Sequence, residues 1–289
     1  MKKRNHLEIL IVRSAGFCFG VKRAIDIAFA MANKNQNGIY TFGPIIHNPQ
    51  VIKKLVEKGI SPTDDVHRDN IKALIIRTHG IPLDLMEEAS HVGYEIVDAT
   101  CPFVKKAQHY AKLLSEEGYQ VVILGDRDHP EVKGLVSYAG RDVIVIGDKE
   151  RLPALKRRVG IVVQTTQPVE GLKRLMSRIM EQSREVKVYN TICNSTAKRL
   201  AETEKIARKV DVMLAVGGRN SANTTQLASL CSSMPVVTYH IETADELKSD
   251  WFRGIAKVGI TAGASTPDWI IDDVKKRIKD IGGEQGDGT

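Results

Sequence analysis

Short Val/Ile-rich runs alternate with helix-period segments along the 289 residues, and that alternation limits the fold more than any other feature. The strand runs are Glu8–Arg13, Gly38–Phe42, Ala73–Arg77, Glu95–Asp98, Gln120–Leu124, Val143–Ile146, Gly160–Val163, Val186–Tyr189, Val212–Val216, Val236–Tyr239 and Lys257–Ile260. They are largely apolar, as parallel strands covered on both faces should be. Helical patterns such as Val21–Asn33, Pro49–Lys58, Val104–Glu117, Val169–Glu181, Ala197–Lys209 and Pro267–Ile281 lie between them. Parallel strands need crossover connections, so this order predicts an α/β protein with mainly parallel sheets. The polar, Gly-rich GEQGDGT after Gly282 is expected to fray.

Composition narrows the function. Hydrophobic residues make up 42% and charged residues 27%, which excludes wholesale disorder. No apolar run approaches the ~20 residues of a membrane span. The basic start MKKRNHLEILIV is interrupted by Glu8 and Arg13, so it does not read as a signal peptide, and a cytoplasmic protein is expected. A net charge of +7 favours an anionic partner. Aromatics are only 5% and no polybasic block occurs, so a small anionic substrate is expected rather than nucleic acid.

The four cysteines, Cys18, Cys101, Cys193 and Cys231, form no CxxC pair. A lone cysteine is usually a buried thiol. Three of these share a context, however: Cys18 is followed by FGVKRAI, Cys101 by PFVKKAQ and Cys193 by NSTAKRL. Each follows a strand signal and opens a helix signal, with a Lys/Arg pair four to six residues on. Cys231, in LASLCSSMP, lacks that context. The repeat predicts three small pseudo-symmetric α/β units: 14–100, 101–189, and 190–283 with 1–13, followed by a tail at 284–289. Such units around a pseudo-threefold would bring three cysteines to one centre. A thiolate at a helix N-terminus is stabilised by the dipole, which suits a metal ligand or a nucleophile. Zinc and an iron–sulfur cluster both remain open, and three ligands on a four-iron cube would leave one iron open.

Ligands of α/β sheets bind beyond the carboxyl ends of the strands. The turns there carry His47 in GPIIHNP, His79 in THGIP, His129 and Glu131 in GDRDHPE, Thr165 and Thr166 in QTTQ, Ser221 and Asn223 in GGRNSANTT, and Ser265 in TAGASTPD. Each of these three histidines precedes a proline within three residues, so its turn is stiff and its imidazole could donate to phosphate. His6, His67, His91, His109 and His240 read as surface residues. The Ser/Asn turns fit either an anion at a helix start or ordinary capping. Glu131 is a candidate proton donor, whereas Asp126 and Asp128 read as solvated. Neither GxxxxGK[ST] nor GxGxxG occurs, which disfavours nucleoside triphosphates and dinucleotides.

AGFCFGVKRAI, GPIIHNP, RTHGIP, DATCPFV, GDRDHPEVKG, QTTQ, NTICNSTAKR, GGRNSANT and GITAGASTPDWII together closely resemble the 4-hydroxy-3-methylbut-2-enyl diphosphate reductases, from about Leu7 to Ile281. The resemblance implies a central cavity with a 4Fe–4S cluster on Cys18, Cys101 and Cys193, and a diphosphate held by His47, His79, His129, Ser221, Asn223 and Ser265. It also implies Glu131 as proton source with Thr165 at the substrate hydroxyl. Related sequences often carry Ser where this chain has Ala222. The implied reaction is reductive removal of the C4 hydroxyl to give isopentenyl and dimethylallyl diphosphate, with ferredoxin or flavodoxin as donor. The residues alone leave two rivals: a zinc- or thiol-based phosphohydrolase using Cys101, and a non-catalytic binder of RNA or phosphometabolites.

Overall fold

The structure is a computed structural model that describes residues 7–33 and 37–284. Its strands are β1 Glu8–Ile11, β2 Ile39–Phe42, β3 Ile60–Thr63, β4 Ala73–Ile76, β5 Glu95–Asp98, β6 Gln120–Leu124, β7 Val143–Ile146, β8 Arg158–Val163, β9 Glu185–Val188, β10 Val212–Val216, β11 Val237–Ile241 and β12 Lys257–Ala262. The helices are α1 Phe19–Ala32, α2 Pro49–Glu57, α3 Leu83–Val92, α4 Pro102–Glu116, α5 Pro130–Tyr138, α6 Val169–Met180, α7 Asn194–Ala207, α8 Ala222–Ser232 and α9 Asp268–Glu284, with two short 3₁₀ turns near residue 250. None of these helices is long and apolar enough to cross a membrane.

The strands form three four-stranded, wholly parallel sheets. Their orders are β3-β2-β4-β5, β7-β6-β8-β9 and β11-β10-β12-β1. The three orders are the same pattern repeated, with the N-terminal β1 serving as the fourth strand of the last sheet. The predicted α/β class with three similar parallel sheets is therefore what the chain adopts. The chain packs as two compact units. Among the described residues, one contains 7–18, His47–Val51 and 197–284; the other contains 19–33, 37–46 and Ile52–Thr196.

Central strands are buried on both faces. Every residue of β4, β6 and β10 is buried, because helices cover both sides. The outer strands β1, β5, β7 and β9 are only half-buried, so the expectation of full burial holds for the inner strands alone. Sequence patterning missed β3, whose ISPT is short and polar. It pairs only with β2, and Pro62 is tolerated there because an edge strand has a side free of ladder bonds. The helical patterns named from the sequence include neither α3 nor α5. Helix α9 carries on to Glu284 where fraying was expected, while residues 285–289 and His6 lie outside the described residues.

Ile123 sits mid-strand in β6, fully buried between Val145 and Val162 on the flanking strands. Ile123→Ala should cost about 2–5 kcal/mol and lower the thermal midpoint by roughly 5–15 °C. Val237→Ala, on a half-exposed outer position of β11, should shift it by no more than about 2 °C. Equal shifts in the two variants would contradict this assignment of the core.

Candidate active site

Glu131 and Thr165 form a buried, two-bond polar contact in the larger unit. Pro130 opens α5 and His129 caps it, with Nδ1 of the imidazole accepting the Glu131 N–H at 3.2 Å. That bond leaves Nε2 as the protonated nitrogen of the neutral ring. The same cap turns the Glu131 side chain inward, where it is 2% exposed. Its Oε1 accepts the Thr165 backbone N–H at 2.6 Å, and Oε2 accepts the Thr165 hydroxyl at 2.9 Å. Burial pushes the carboxyl up to about 7, and the two bonds from Thr165 only partly oppose it. A carboxyl near that value can hold and release a proton at neutral pH. Thr165 also looks the other way: its carbonyl accepts the Cys193 N–H at 2.9 Å. The His79 ring meets the His129 ring edge-on, with centroids 5.3 Å apart.

Cys18, Cys101 and Cys193 occupy one position in three equivalent places. Each is half-buried and immediately precedes a helix, α1, α4 and α7 respectively. Each also follows the fourth strand of a sheet, β1, β5 and β9. A thiolate there meets the positive end of a helix. Backbone N–H groups tie all three to strand-end loops, Cys18 to Ala264 O at 3.3 Å, Cys101 to Thr78 O at 3.0 Å and Cys193 to Thr165 O at 2.9 Å. Gly20 leaves room for one thiol, since a Cβ there would lie 2.4 Å from Cys101 Sγ. Ser195 Oγ lies 3.1 Å from Cys193 Sγ. Cys231 differs in every respect. It is wholly buried inside α8, and burial pushes its thiol up to about 11. A half-buried thiol at a helix start is the type of donor that an iron–sulfur cluster takes, cysteinate being its usual ligand.

In the smaller unit, Ser221 caps α8 by accepting the Thr224 N–H at 3.4 Å. Ser265 donates to Ser221 Oγ at 3.3 Å and sits 3.2 Å from the His47 carbonyl. Gly218 lets the His47 backbone approach closely, because a Cβ there would come within 2.7 Å of its carbonyl oxygen. Asn223 lies in the first turn of the same helix, 5% exposed. The structure thus gathers His47, Ser221, Asn223 and Ser265 at one helix start, where Ser221 makes the ordinary cap. Ala222 is the first residue of α8, so its backbone N–H has no helical acceptor.

Two predicted distinctions are visible. Thr165 takes both oxygens of Glu131, while the buried Thr166 hydroxyl has no partner among the described residues. Asp126 and Asp128 are exposed, and the Asp126 carboxylate accepts the Asp128 N–H. His67, His91 and His109 are exposed, as expected. His240 is half-buried, with Nε2 2.9 Å from Gly217 O. Sequence reading missed two arginines. Arg23 reaches the carbonyls of Asp98 and Thr100, just ahead of Cys101. Arg199 reaches those of Ser14 and Gly16, just ahead of Cys18. The Lys/Arg pairs after the cysteines were their only signal.

The sequence model described as LytB protein matches residues 9–279. The 4-hydroxy-3-methylbut-2-enyl diphosphate reductase of Pelobacter propionicus is 51% identical over 278 residues, covering 95% of this chain and 99% of its own. That of Geobacter sulfurreducens is 50% identical, covering 95% and 98%. A solved structure of (E)-4-hydroxy-3-methyl-but-2-enyl diphosphate reductase, described as the terminal enzyme of the non-mevalonate pathway, superposes with a TM-score of 0.69 at 44% identity, covering 95% of this chain and 99% of that one. The structure of the Plasmodium falciparum reductase superposes with a TM-score of 0.84 at 26% identity, covering 94% and 87%. The chain belongs to the LytB family, the 4-hydroxy-3-methylbut-2-enyl diphosphate reductases.

Proposed function

We propose that this chain is an iron–sulfur reductase that converts (E)-4-hydroxy-3-methylbut-2-enyl diphosphate to isopentenyl and dimethylallyl diphosphate. Two electrons and two protons enter for each C4 hydroxyl lost as water. Cys18, Cys101 and Cys193 are the ligands of a 4Fe–4S cluster, and the three sheets correspond to units at 14–100, 101–189, and 190–283 with 1–13. When bound, such a cluster supplies electrons singly and leaves one iron open as a Lewis acid. Ferredoxin or flavodoxin is the donor class.

The diphosphate binds to His47, His79, His129, Ser221, Asn223 and Ser265, which offer imidazole, hydroxyl and amide donors from stiff turns. Fixing the anion there leaves the C4 end of the substrate for Glu131 and Thr165. The observation that carries this reading is the buried Glu131 carboxyl clamped by Thr165. A hydroxyl both donates and accepts. When Glu131 is ionised, Thr165 Oγ1 donates to Oε2; when Glu131 is protonated, that bond reverses and the hydroxyl's own proton is available to the departing oxygen. Glu131 Oε2 therefore holds the proton and Thr165 Oγ1 hands it on. A hydroxide leaves poorly and water leaves well, so this transfer belongs to the bond-breaking step.

Anaerobically prepared protein with a strong chemical reductant should form both five-carbon diphosphates, read by mass spectrometry. Its absence under those conditions would refute the function. Glu131→Gln keeps the shape and loses the acid, so turnover should fall ~100-fold or more with bound iron unchanged. A rate within a few-fold of wild type would remove Glu131 from this role.

The raised carboxyl has its own signature. Glu131 stays protonated in the folded chain at pH values where the unfolded carboxyl is ionised. Relative to Glu131→Gln, the wild type should therefore lose stability as the pH climbs from about 4.5 through about 7. A carboxyl infrared band should titrate at about 7 and be missing in Glu131→Gln. Titration near the ordinary 4.5 would contradict the burial argument.

Ser at Cys18, Cys101 or Cys193 should each lower bound iron and bleach the protein, while Cys231→Ser keeps both iron and colour. The reverse pattern would overturn the ligand assignment.

A further inference from the structure

Asn223 has its amide oxygen fully occupied. Oδ1 accepts from Arg199 Nη1 at 3.1 Å and from the Ala264 backbone N–H at 3.0 Å. A carbonyl oxygen offers two lone pairs, so both are used. Neither donor can ever accept a hydrogen bond. Turning the amide over would therefore set N–H against N–H, and only one orientation is compatible with its neighbours. Nδ2 donates to no group among the described residues.

Arg199 is held firmly enough to impose that choice. It projects from α7, is 2% exposed, and ranks among the largest fully buried side chains. Its Nε donates to Ser14 O at 2.7 Å and its Nη2 to Gly16 O at 2.9 Å. Three separate acceptors thus fix the plane of one guanidinium. Lysine could not span them, being a single point of charge on a flexible stem.

We propose that Arg199 is a positioning residue for anion recognition: it locks Asn223 so that the start of α8 presents an N–H donor, and no acceptor, to the diphosphate. The proposal rests on the reading above that Asn223 meets the diphosphate. An ionised diphosphate offers only acceptors, so an amide oxygen turned toward it would repel it. Buried and engaged with protein groups, Arg199 need not touch the ligand to determine whether the ligand is held.

The test uses inorganic pyrophosphate titrated calorimetrically into the full-length, anaerobically prepared protein, with no turnover involved. Asn223→Ala should weaken binding about tenfold or more, and Arg199→Lys about tenfold. The double variant should bind no worse than Asn223→Ala, because Arg199 acts through Asn223. Asn223→Asp keeps both acceptors for Arg199 and Ala264, so its thermal midpoint should not fall, yet its affinity should drop at least as far as that of Asn223→Ala. Losses that add in the double variant, or an Arg199→Lys protein that binds like wild type while Asn223→Ala does not, would overturn the proposal and leave the diphosphate reading standing. Wild-type affinity in Asn223→Ala would overturn both. Should Arg199→Lys fail to fold, Asn223→Asp decides the matter, since wild-type binding there contradicts a donor role for Nδ2.

Discussion

Thr165 is engaged on three sides at once. Its N–H and hydroxyl clamp the two oxygens of Glu131, and its carbonyl receives the N–H of Cys193. One residue at the end of β8 therefore fixes both a buried acid and the backbone of a half-buried thiol. The clamp explains how a carboxyl survives at 2% exposure without moving further from neutrality: burial raises it, and two donors hold the rise to about 7. A carboxyl with no such donors would stay protonated to higher pH and release its proton poorly. One with a lysine or arginine beside it would stay ionised and have no proton to give.

The threefold cadence was readable from the chain. Cys18, Cys101 and Cys193 each announce a helix, and the three sheets repeat one strand order, with β1 completing the last. What makes this legible is that helix starts and parallel strands both leave local marks: a strand run, a turn residue, then helical spacing. The polar turns were legible for the same reason, since stiff Pro-flanked histidines and Ser/Asn clusters stand out at strand ends.

The parts that were not legible depend on tertiary neighbours. Edge strand β3 is set by the pairing of its backbone with β2, which ISPT does not advertise. Full burial was expected of all strands, but only inner strands carry helices on both faces. The sequence separated Glu131 from the solvated Asp126 five residues earlier, but did not show the two bonds from Thr165 that hold the buried carboxyl. The cap by His129 turns that carboxyl inward, by starting α5 where it does. The Lys/Arg pairs showed as a repeat but not as a device. Only the folded chain reveals that the outer member, Lys22 or Lys198, stays exposed while Arg23 and Arg199 turn in to bind carbonyls ahead of a cysteine. Long-range acceptors of that kind leave no local signature.

Thr165 serves two neighbours through separable groups, the side-chain hydroxyl toward Glu131 and the main-chain carbonyl toward Cys193. Thr165→Val removes only the hydroxyl and keeps shape and backbone. The decisive measurement pairs bound iron and visible spectrum with turnover under a strong chemical reductant in this variant. Wild-type iron and spectrum with turnover reduced about 100-fold is the predicted result; wild-type turnover, or loss of iron together with activity, would contradict it.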